Sequence, residues 1–304
     1  MSIRVVLTSL VIALAVVAAP ATAQQWLNAP TNPKTNQSNF RTLEEWASPN
    51  EYRNAAGKPG PKYWQQRVDY AIKASLDTTT HTVTGSERVT YHNNSPDRLD
   101  YLWFQLDQNI DDPKLSRAIL DAPALPMQLS PQARRFLAPE PFDGGHKITR
   151  VQVVTTRGRA VSKVDVPYVI NGTEMKVPLP APLSSGERAV VEIDWHFIVP
   201  ETSRNGRGAR EQVTDGWLYE MAQWFPRASV YDDINGWQTD QFYGQGEFYL
   251  NFGTYDVELT VPHDHVVQAT GVLQNPLQVL TAIQRQRLAR AMTSEAPVFI
   301  LAKD

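Results

Sequence analysis

The chain is 304 residues long, with 42% hydrophobic and 20% charged residues, 16 glycines, 22 prolines and no cysteine. This composition is typical of a globular protein and excludes disordered, collagen-like and disulfide-scaffold chains. The absence of cysteine also excludes thiolate metal sites and a cysteine nucleophile. Because 29 basic side chains nearly balance 32 acidic ones, for a net charge of -3, no nucleic-acid partner is predicted.

The first 23 residues are predicted to be a cleaved secretory signal. Arg4 precedes a mostly apolar run at 5–19, and the small residues Ala-Thr-Ala follow at 21–23. The run is shorter than the roughly 20 apolar residues that a membrane-spanning helix needs. We therefore expect maturation before Gln24 and a periplasmic or secreted product that has no membrane partner after cleavage.

The mature chain is predicted to begin with an extended leader, residues 24–64, which is rich in Asn, Pro, Gly and Lys and lacks a periodic apolar pattern. From residue 65 onward, apolar residues alternate with polar ones at the period of half-buried strands. The dipeptide Asn171-Gly172 between two such runs is typical of a type I′ hairpin turn. The predicted strands are Val68–Leu76, Val89–Tyr91, Leu99–Leu106, Val166–Ile170, Thr173–Leu179, Val191–Val199 and Tyr255–Val261. This pattern predicts a mainly β domain.

Two segments depart from the strand pattern. Residues 111–146 carry six prolines and are predicted to be a surface insertion. Near the C-terminus, an Asn-Pro pair at 275–276 precedes apolar residues at helical spacing up to Met292, which predicts one helix. The apolar run Val298–Leu301 then resembles the start of a buried strand. A strand needs a paired neighbour, so we expect residues 276–304 to comprise a helix and an unfinished strand.

The segment from Trp217 to Phe252 contains 11 of the 29 aromatic residues of the chain. Acidic, amide and arginine side chains lie between them, which is the composition of a ligand-lining surface. The same aromatic residues at strand spacing would also fill a β core, and the run Asp232-Asp233-Ile234-Asn235-Gly236 would then be a turn. Glu220, Asp232 and Glu247 beside aromatic rings also leave open a glycosidase-type pair of carboxylates.

A series of motifs extends along the domain. They are Glu87–Ser95, Leu102–Phe104, Tyr219–Arg227, Val230–Asp233, Gly236-Trp237, Gly246–Tyr249, Asn251–Gly253, Tyr255–Pro262 and Ala269–Leu273. Together they resemble the N-terminal domain of bacterial M1-family (gluzincin) zinc aminopeptidases, over residues 65–304. The resemblance implies a saddle-shaped antiparallel β-sheet or sandwich domain, residues 65–275, with one C-terminal helix. It also implies that this domain packs on a separate catalytic zinc domain.

The sequence departs from that family in its catalytic motifs. Family members hold zinc with a His-Glu-x-x-His helix and a downstream Glu, whereas none of the six histidines here is paired at i, i+4, and no Gly-x-Met-Glu-Asn type segment is present. His263 and His265 share one face of a predicted strand and would hold a metal only with a third ligand. The resemblance therefore implies a domain truncated before its catalytic half. Zinc is then a cofactor of the parent family and this chain has none, so we expect it to be inactive alone.

In that family, a glutamine or glutamate on a loop of the N-terminal domain helps to bind the free amino group of the peptide substrate. Gln223 best matches that position, and Glu220 is the alternative because the spacing to Arg227 is shorter than in better-known members. An oxygen acceptor suits this role, since an ammonium group only donates. The resemblance thus implies the non-catalytic N-terminal domain of an exported metallo-aminopeptidase, whose partners are the zinc domain and a peptide. The alternative is a stand-alone secreted β-sandwich module that binds a peptide, a protein or a carbohydrate.

Overall fold

The computed structural model describes residues 49–115, 142–157, 160–201, 208–242 and 249–302. The predicted signal, much of the predicted leader, most of the proline-rich insertion and Glu247 lie outside these ranges. Within them, no helix is long and apolar enough to cross a membrane.

Strands dominate the described chain, which confirms the prediction of a mainly β fold. The strands are β1 Arg67–Asp77, β2 Thr82–His92, β3 Leu99–Gln105, β4 Lys147–Arg157, β5 Ala160–Asp165, β6 Val169–Asn171, β7 Glu174–Leu183, β8 Arg188–Ile198, β9 Gly208–Val213, β10 Gly216–Met221, β11 Arg227–Ala228, β12 Tyr231–Asp232, β13 Gly236–Trp237 and β14 Tyr255–Thr260. A 3-10 helix, η1, spans Asp107–Asp111, and two α-helices, α1 and α2, span Pro276–Val279 and Ala282–Ala291.

Most strands belong to two main sheets. The larger sheet has the order β14-β1-β2-β8-β4-β5, and the smaller has the order β11-β3-β7-β6. Neighbours in both sheets are antiparallel, except that β14 runs parallel to β1. The pairs β9–β10 and β12–β13 form two-stranded ribbons.

The core is built from one face of each main sheet. In β8, buried side chains alternate with partly exposed ones along the whole strand, as the apolar alternation predicts. Trp195 from β8 and Phe104 from β3 are at most 1% exposed and belong to one hydrophobic cluster with residues of both sheets. The hydroxyl of Tyr70 in β1 also accepts a hydrogen bond from the backbone N–H of Ala228 in β11, at 3.0 Å. Burial of these apolar faces supplies the main stabilisation of the fold.

Most of the predicted strands occur at the expected positions, and the hairpin is confirmed. The turn itself differs from the predicted one, because Asn171 is the last residue of β6 and pairs with Glu174, which leaves Gly172 and Thr173 as the turn residues. Gly172 has a φ of 59° but Thr173 does not have a positive φ, whereas a type I′ turn requires a positive φ at both central residues. β14 occupies the last predicted strand, but it pairs in parallel with β1, so that Tyr70 lies opposite Tyr255. Apolar alternation fixes the buried face of a strand but not the direction of its partner.

The described residues form two compact units, which meet in sequence at Pro262 and His263. In the second unit, the single helix expected up to Met292 is two helices, because Leu280 is extended, with φ of -117° and ψ of 140°. Thr281 then starts α2 with a capping box, in which its side chain and that of Gln284 bind each other's backbone N–H groups.

The strand expected at Val298–Leu301 is not formed. No other strand lies in the described part of the second unit, residues 263–302, and none of its residues is buried. Backbone groups of an extended segment need a neighbouring strand, so this apolar run lacks the partner that the prediction required. Residues 269–273, which resemble a later strand of the M1 domain, also lie outside any strand in this unit.

Candidate functional site

The Gln223 loop, residues 222–226, connects β10 to β11 and carries the predicted substrate-binding glutamine. Gln223 has a φ of 49°, in the left-handed region that residues other than glycine rarely adopt. Its side-chain oxygen Oε1 is buried and has no hydrogen-bond partner. A strained backbone and an unused buried acceptor each cost free energy, so their coincidence makes Gln223 a candidate ligand contact.

Three consecutive side chains of η1 tie the surrounding segments together. Asp107, Gln108 and Asn109 are 1%, 2% and 3% exposed. The Asn109 amide donates to the carbonyl oxygen of Gly172 at 2.8 Å, and its Oδ1 accepts from the backbone N–H of His146 at 2.8 Å. This tripeptide therefore acts as a buried polar hub next to the Gln223 loop.

Gln108 makes the direct contact between the hub and the loop. Its Nε2 donates to the carbonyl oxygens of Ala222 and Gln223, at 3.1 and 3.2 Å. A primary amide nitrogen carries two hydrogens, so one side chain satisfies both carbonyls. The backbone on both sides of the strained φ angle is thereby fixed to η1.

A buried ion pair holds the end of the loop. The guanidinium of Arg227 contacts the Asp107 carboxylate at 2.5 and 3.1 Å and donates to Oε1 of Gln105 at 3.3 Å. Burial raises the pKa of Asp107 while the facing Arg227 opposes that rise. The pair is 6% and 1% exposed, so neither charge has access to bulk water, and each depends on the other for its stabilisation.

His146 provides a third contact with the loop. Its Nε2 lies 3.4 Å from the carbonyl oxygen of Trp224, and its ring packs edge-on against Trp195 and Phe197. Burial lowers the pKa of His146 to about 3, so the imidazole is neutral and serves as a hydrogen-bonding group at physiological pH.

Glu174 lies near this network as a second buried carboxyl group. It is 2% exposed, and its Oε2 accepts a hydrogen bond from the Ser229 hydroxyl at 3.2 Å. Burial, reinforced by the negative charges of Asp107 and Asp240, raises its pKa to about 8. Glu174 is therefore largely protonated at neutral pH.

The raised pKa of Glu174 predicts that the protein loses stability as the pH rises. The folded state favours the protonated carboxyl, so this contribution is complete below the ordinary glutamate pKa of 4.5 and disappears as the pH approaches 8. We expect the free energy of unfolding from urea titrations to fall by at least about 2 kcal/mol over this interval because of Glu174. Glu174→Gln, which cannot ionise, should remove that part of the slope. An unchanged pH profile in this variant would contradict the assignment.

Two other carboxylates of the Trp217 to Phe252 segment, Glu220 and Asp232, lie in different environments. Glu220 lies on the exposed face of β10, whereas Trp217 and Tyr219 alternate onto the half-buried face. The Asp232 carboxylate accepts hydrogen bonds from the backbone N–H groups of Ile234 and Asn235, which supports the interpretation of this run as a turn. Glu247 lies outside the described residues, so the carboxylate pair stays a prediction.

The histidine pair near the end of β14 gains no third ligand in the described ranges. Nδ1 of His265 lies 2.8 Å from Oδ1 of Asp264. Across the described residues, no three His, Asp or Glu side chains are grouped so as to hold a metal ion. A zinc site needs three or four such ligands, and the described residues therefore supply only isolated donors.

The hub residues were not identified from the sequence. Asp107, Gln108 and Asn109 follow the apolar run Leu99–Leu106 directly, and three polar residues at the end of a buried strand are ordinarily interpreted as an exposed turn. Their burial depends on contacts with residues more than 60 positions away. The available signal was the polar run immediately after a mostly apolar, aromatic strand.

The backbone strain at Gln223 gives a second prediction. Because glycine adopts a positive φ without steric cost, Gln223→Gly should raise the free energy of unfolding by about 1 kcal/mol. Gln212→Gly in β9 is a matched control, since the same substitution in a strand should lower stability. Urea unfolding monitored by tryptophan fluorescence measures both variants. A loss of stability in Gln223→Gly equal to that of the control would show that the left-handed residue is not strained.

Comparison with known proteins gives matches only among solved structures. No family model matches the sequence, and no curated protein does. The solved structures that this chain resembles include M1 zinc metallopeptidases. M1 is also the family whose motifs the sequence resembles.

Three of these matches illustrate the level of similarity. A mutant M1 zinc metallopeptidase from Deinococcus radiodurans with a Tyr-Ser-Ala substrate is 12% identical, with a TM-score of 0.36, over 71% of this chain and 37% of that chain. The M1 zinc metallopeptidase from the same organism is 13% identical, with a TM-score of 0.35, over 70% and 36%. A two-domain M1 enzyme with L-tryptophan is 13% identical, with a TM-score of 0.34, over 71% and 37%. The chain thus spans little more than a third of these proteins, and such superpositions assign no role to any residue here.

Proposed function

We propose that this chain is the non-catalytic N-terminal β domain of an exported M1-like zinc aminopeptidase, and that Gln223 helps to bind the amino terminus of the peptide substrate. The observation that carries the proposal is the unpartnered Oε1 of Gln223 on a left-handed residue. In this proposal the catalytic zinc domain and the peptide are the partners, and the resemblance of the motifs in the Trp217 to Phe252 segment to that family supports it.

The chemistry of the amino group explains why a glutamine oxygen is suited to this site. A protonated amine donates three hydrogen bonds and accepts none, and a buried acceptor without a donor gains most from such a ligand. Because Oε1 is covered in this chain, the side chain must turn outward when the zinc domain and the peptide bind. Glu220, which lies three residues earlier on the exposed face of β10, is the alternative acceptor.

The exposed side of β14 supports a partner domain. Tyr255, Val257 and Leu259 are 47%, 41% and 40% exposed, although they lie on the face whose neighbours in β1 are buried core residues. An apolar sheet face that continues beyond the core is typical of an interaction surface. The free edge of β14 equally favours the second candidate, a stand-alone module that binds an added strand.

The proposal is tested by purification of the protein from its native source under non-denaturing conditions. We expect the chain to be recovered with a His-Glu-x-x-His segment, with bound zinc, and with hydrolysis of an amino-acid anilide. Gln223→Ala should raise KM for the anilide at least about tenfold, since an ammonium contact to a side-chain acceptor is lost. Gln212→Ala, a change of an exposed glutamine on β9, is the matched control and should leave KM unchanged.

Two outcomes would contradict the proposal. Recovery of the chain without zinc and without any peptidase segment would favour the stand-alone binding module. Equal KM values for Gln223→Ala and the wild type would exclude the proposed contact, and Glu220→Ala would then test the alternative acceptor. The N-terminal sequence of the purified protein tests export, for which Gln24 is the expected first residue.

A further inference from the structure

We infer that Gln108 is a positioning residue, which holds the Gln223 loop in the conformation that leaves the side-chain oxygen of Gln223 unpaired. The inference rests on the proposed function and adds to it the residue that prepares the site. It depends on the contacts of η1 with the loop and on the backbone angles of the loop itself.

Gln108 lies on a short helical turn whose position is fixed by backbone hydrogen bonds. The backbone N–H of Leu106, at the start of η1, donates to the carbonyl oxygen of Thr173 at 2.7 Å, and the N–H of Asn109 closes the 3-10 turn on Leu106 at 2.9 Å. Gln108 is 2% exposed. A buried side chain on a turn that is anchored to the smaller sheet has little freedom to move.

The Gln223 loop needs contacts from other segments to keep Gln223 at its positive φ. A residue other than glycine returns from the left-handed region to ordinary backbone angles unless its surroundings prevent it. Gln108 binds the carbonyl oxygens of Ala222 and Gln223, and the adjacent Asp107 binds Arg227. Two neighbouring residues of one short helix thus fix both ends of the Gln223 loop relative to each other.

The side chain of Gln223 takes no part in holding the loop through its amide oxygen. Since Gln108 occupies the backbone carbonyls, the loop is held without any use of the Gln223 amide oxygen, which stays unpaired. Because the backbone is already fixed, only the side chain of Gln223 has to rotate outward for its oxygen to reach a donor. Loss of Gln108 should therefore free the loop while the two-sheet core stays intact.

Gln108→Met tests this directly, because methionine has similar length but lacks the amide that donates to the two loop carbonyls. We expect native-state hydrogen exchange at residues 222–225 to become about tenfold faster, as lost hydrogen bonds allow local opening. Gln66→Met is the matched control, since Gln66 is also a buried glutamine whose amide binds Asn93 and Asn94. It should leave exchange in the loop unchanged. Unchanged exchange in Gln108→Met, or an equal rise throughout β8, would overturn the inference.

A second variant keeps the test decisive if Gln108→Met does not fold. In Gln108→Glu the side chain keeps its shape, but it donates to a carbonyl only when protonated. Burial would raise the pKa of this carboxyl, as it does for Glu174, so the comparison has to extend to alkaline pH. Exchange in the loop, relative to the wild type at the same pH, should be faster at pH 9 than at pH 4. A ratio that is independent of pH would contradict a positioning role.

These measurements separate the inference from the proposed function. If Gln108→Met frees the loop and Gln223→Ala leaves anilide hydrolysis unchanged, the positioning stands and the proposed amine contact is wrong. If Gln223→Ala raises KM and the loop of Gln108→Met exchanges like the wild type, the contact stands and the positioning is wrong.

Discussion

Asp107→Leu is expected to lower the free energy of unfolding by about 3 to 5 kcal/mol, the cost of leaving one member of a buried ion pair without its partner. The change leaves the Arg227 guanidinium at 6% exposure without the carboxylate that it contacts at 2.5 Å. Arginine stays protonated at any accessible pH, so acidification cannot relieve this cost. Burial holds the pKa of Asp107 above its ordinary value in the wild type, so this group stabilises the wild type more at pH 4 than at pH 7. Urea unfolding should therefore give a large loss at both pH values, and the loss should be somewhat larger at pH 4.

The reciprocal change, Arg227→Met, is expected to behave differently with pH. Burial already raises the pKa of Asp107 against the opposing effect of Arg227, and removal of the arginine leaves burial alone. The carboxyl is then protonated at low pH, so the destabilisation should be smaller at pH 4 than at pH 7. The opposite trend would contradict the view that burial dominates at Asp107.

The double variant Asp107→Leu/Arg227→Met provides the control. With both charges gone, no buried group lacks its counter-charge, and at least half of the loss in Asp107→Leu should be recovered. Additive losses in the two single variants would show that the pair does not act as a unit. Asp107→Asn, which keeps the shape of the side chain, substitutes for the leucine variant if that protein does not accumulate.

Gly253→Ala is expected to be the second most damaging change, with a loss of about 3 kcal/mol from steric overlap. A Cβ atom at this position would lie 1.6 Å from the backbone carbonyl oxygen of Val68. Val68 is fully buried in β1, and its carbonyl cannot move without disturbing the sheet. The overlap should push β14 away from β1, because Phe252 and Thr254 on either side bind the backbone of that strand.

Gly186→Ala separates this overlap from the general cost of alanine at a glycine. Gly186 has a φ of 78°, and nothing lies within 4 Å of its added Cβ, so only backbone strain of about 1 kcal/mol is expected. Hydrogen exchange should show faster opening of residues 252–260 in Gly253→Ala and no change there in Gly186→Ala. Equal stability losses in the two variants would mean that the close approach to Val68 is unimportant.

Local patterns predicted much of the secondary structure. The two-residue alternation located β1, β8 and β14, because it depends only on which side chains face the core, and the apolar, aromatic run Leu99–Leu106 located β3. The position of the hairpin followed from the preference of such turns for glycine, although the turn residues are Gly172 and Thr173 rather than Asn171 and Gly172. The capping box at Thr281 and Gln284 was also present in the sequence, and its recognition would have divided the predicted helix at the correct residue.

The β character of the fold and the buried face of each main strand could be predicted from the residue pattern, and Gln223 was proposed through the family resemblance. The parallel pairing of β14 with β1, the burial of Asp107 and Gln108, and the positive φ of Gln223 could be seen only in the folded chain. These features depend on residues that are far apart in the sequence. Gln108 and Asp107 bind residues 114 to 120 positions away, and such contacts depend on how two sheets pack rather than on the pattern within either segment.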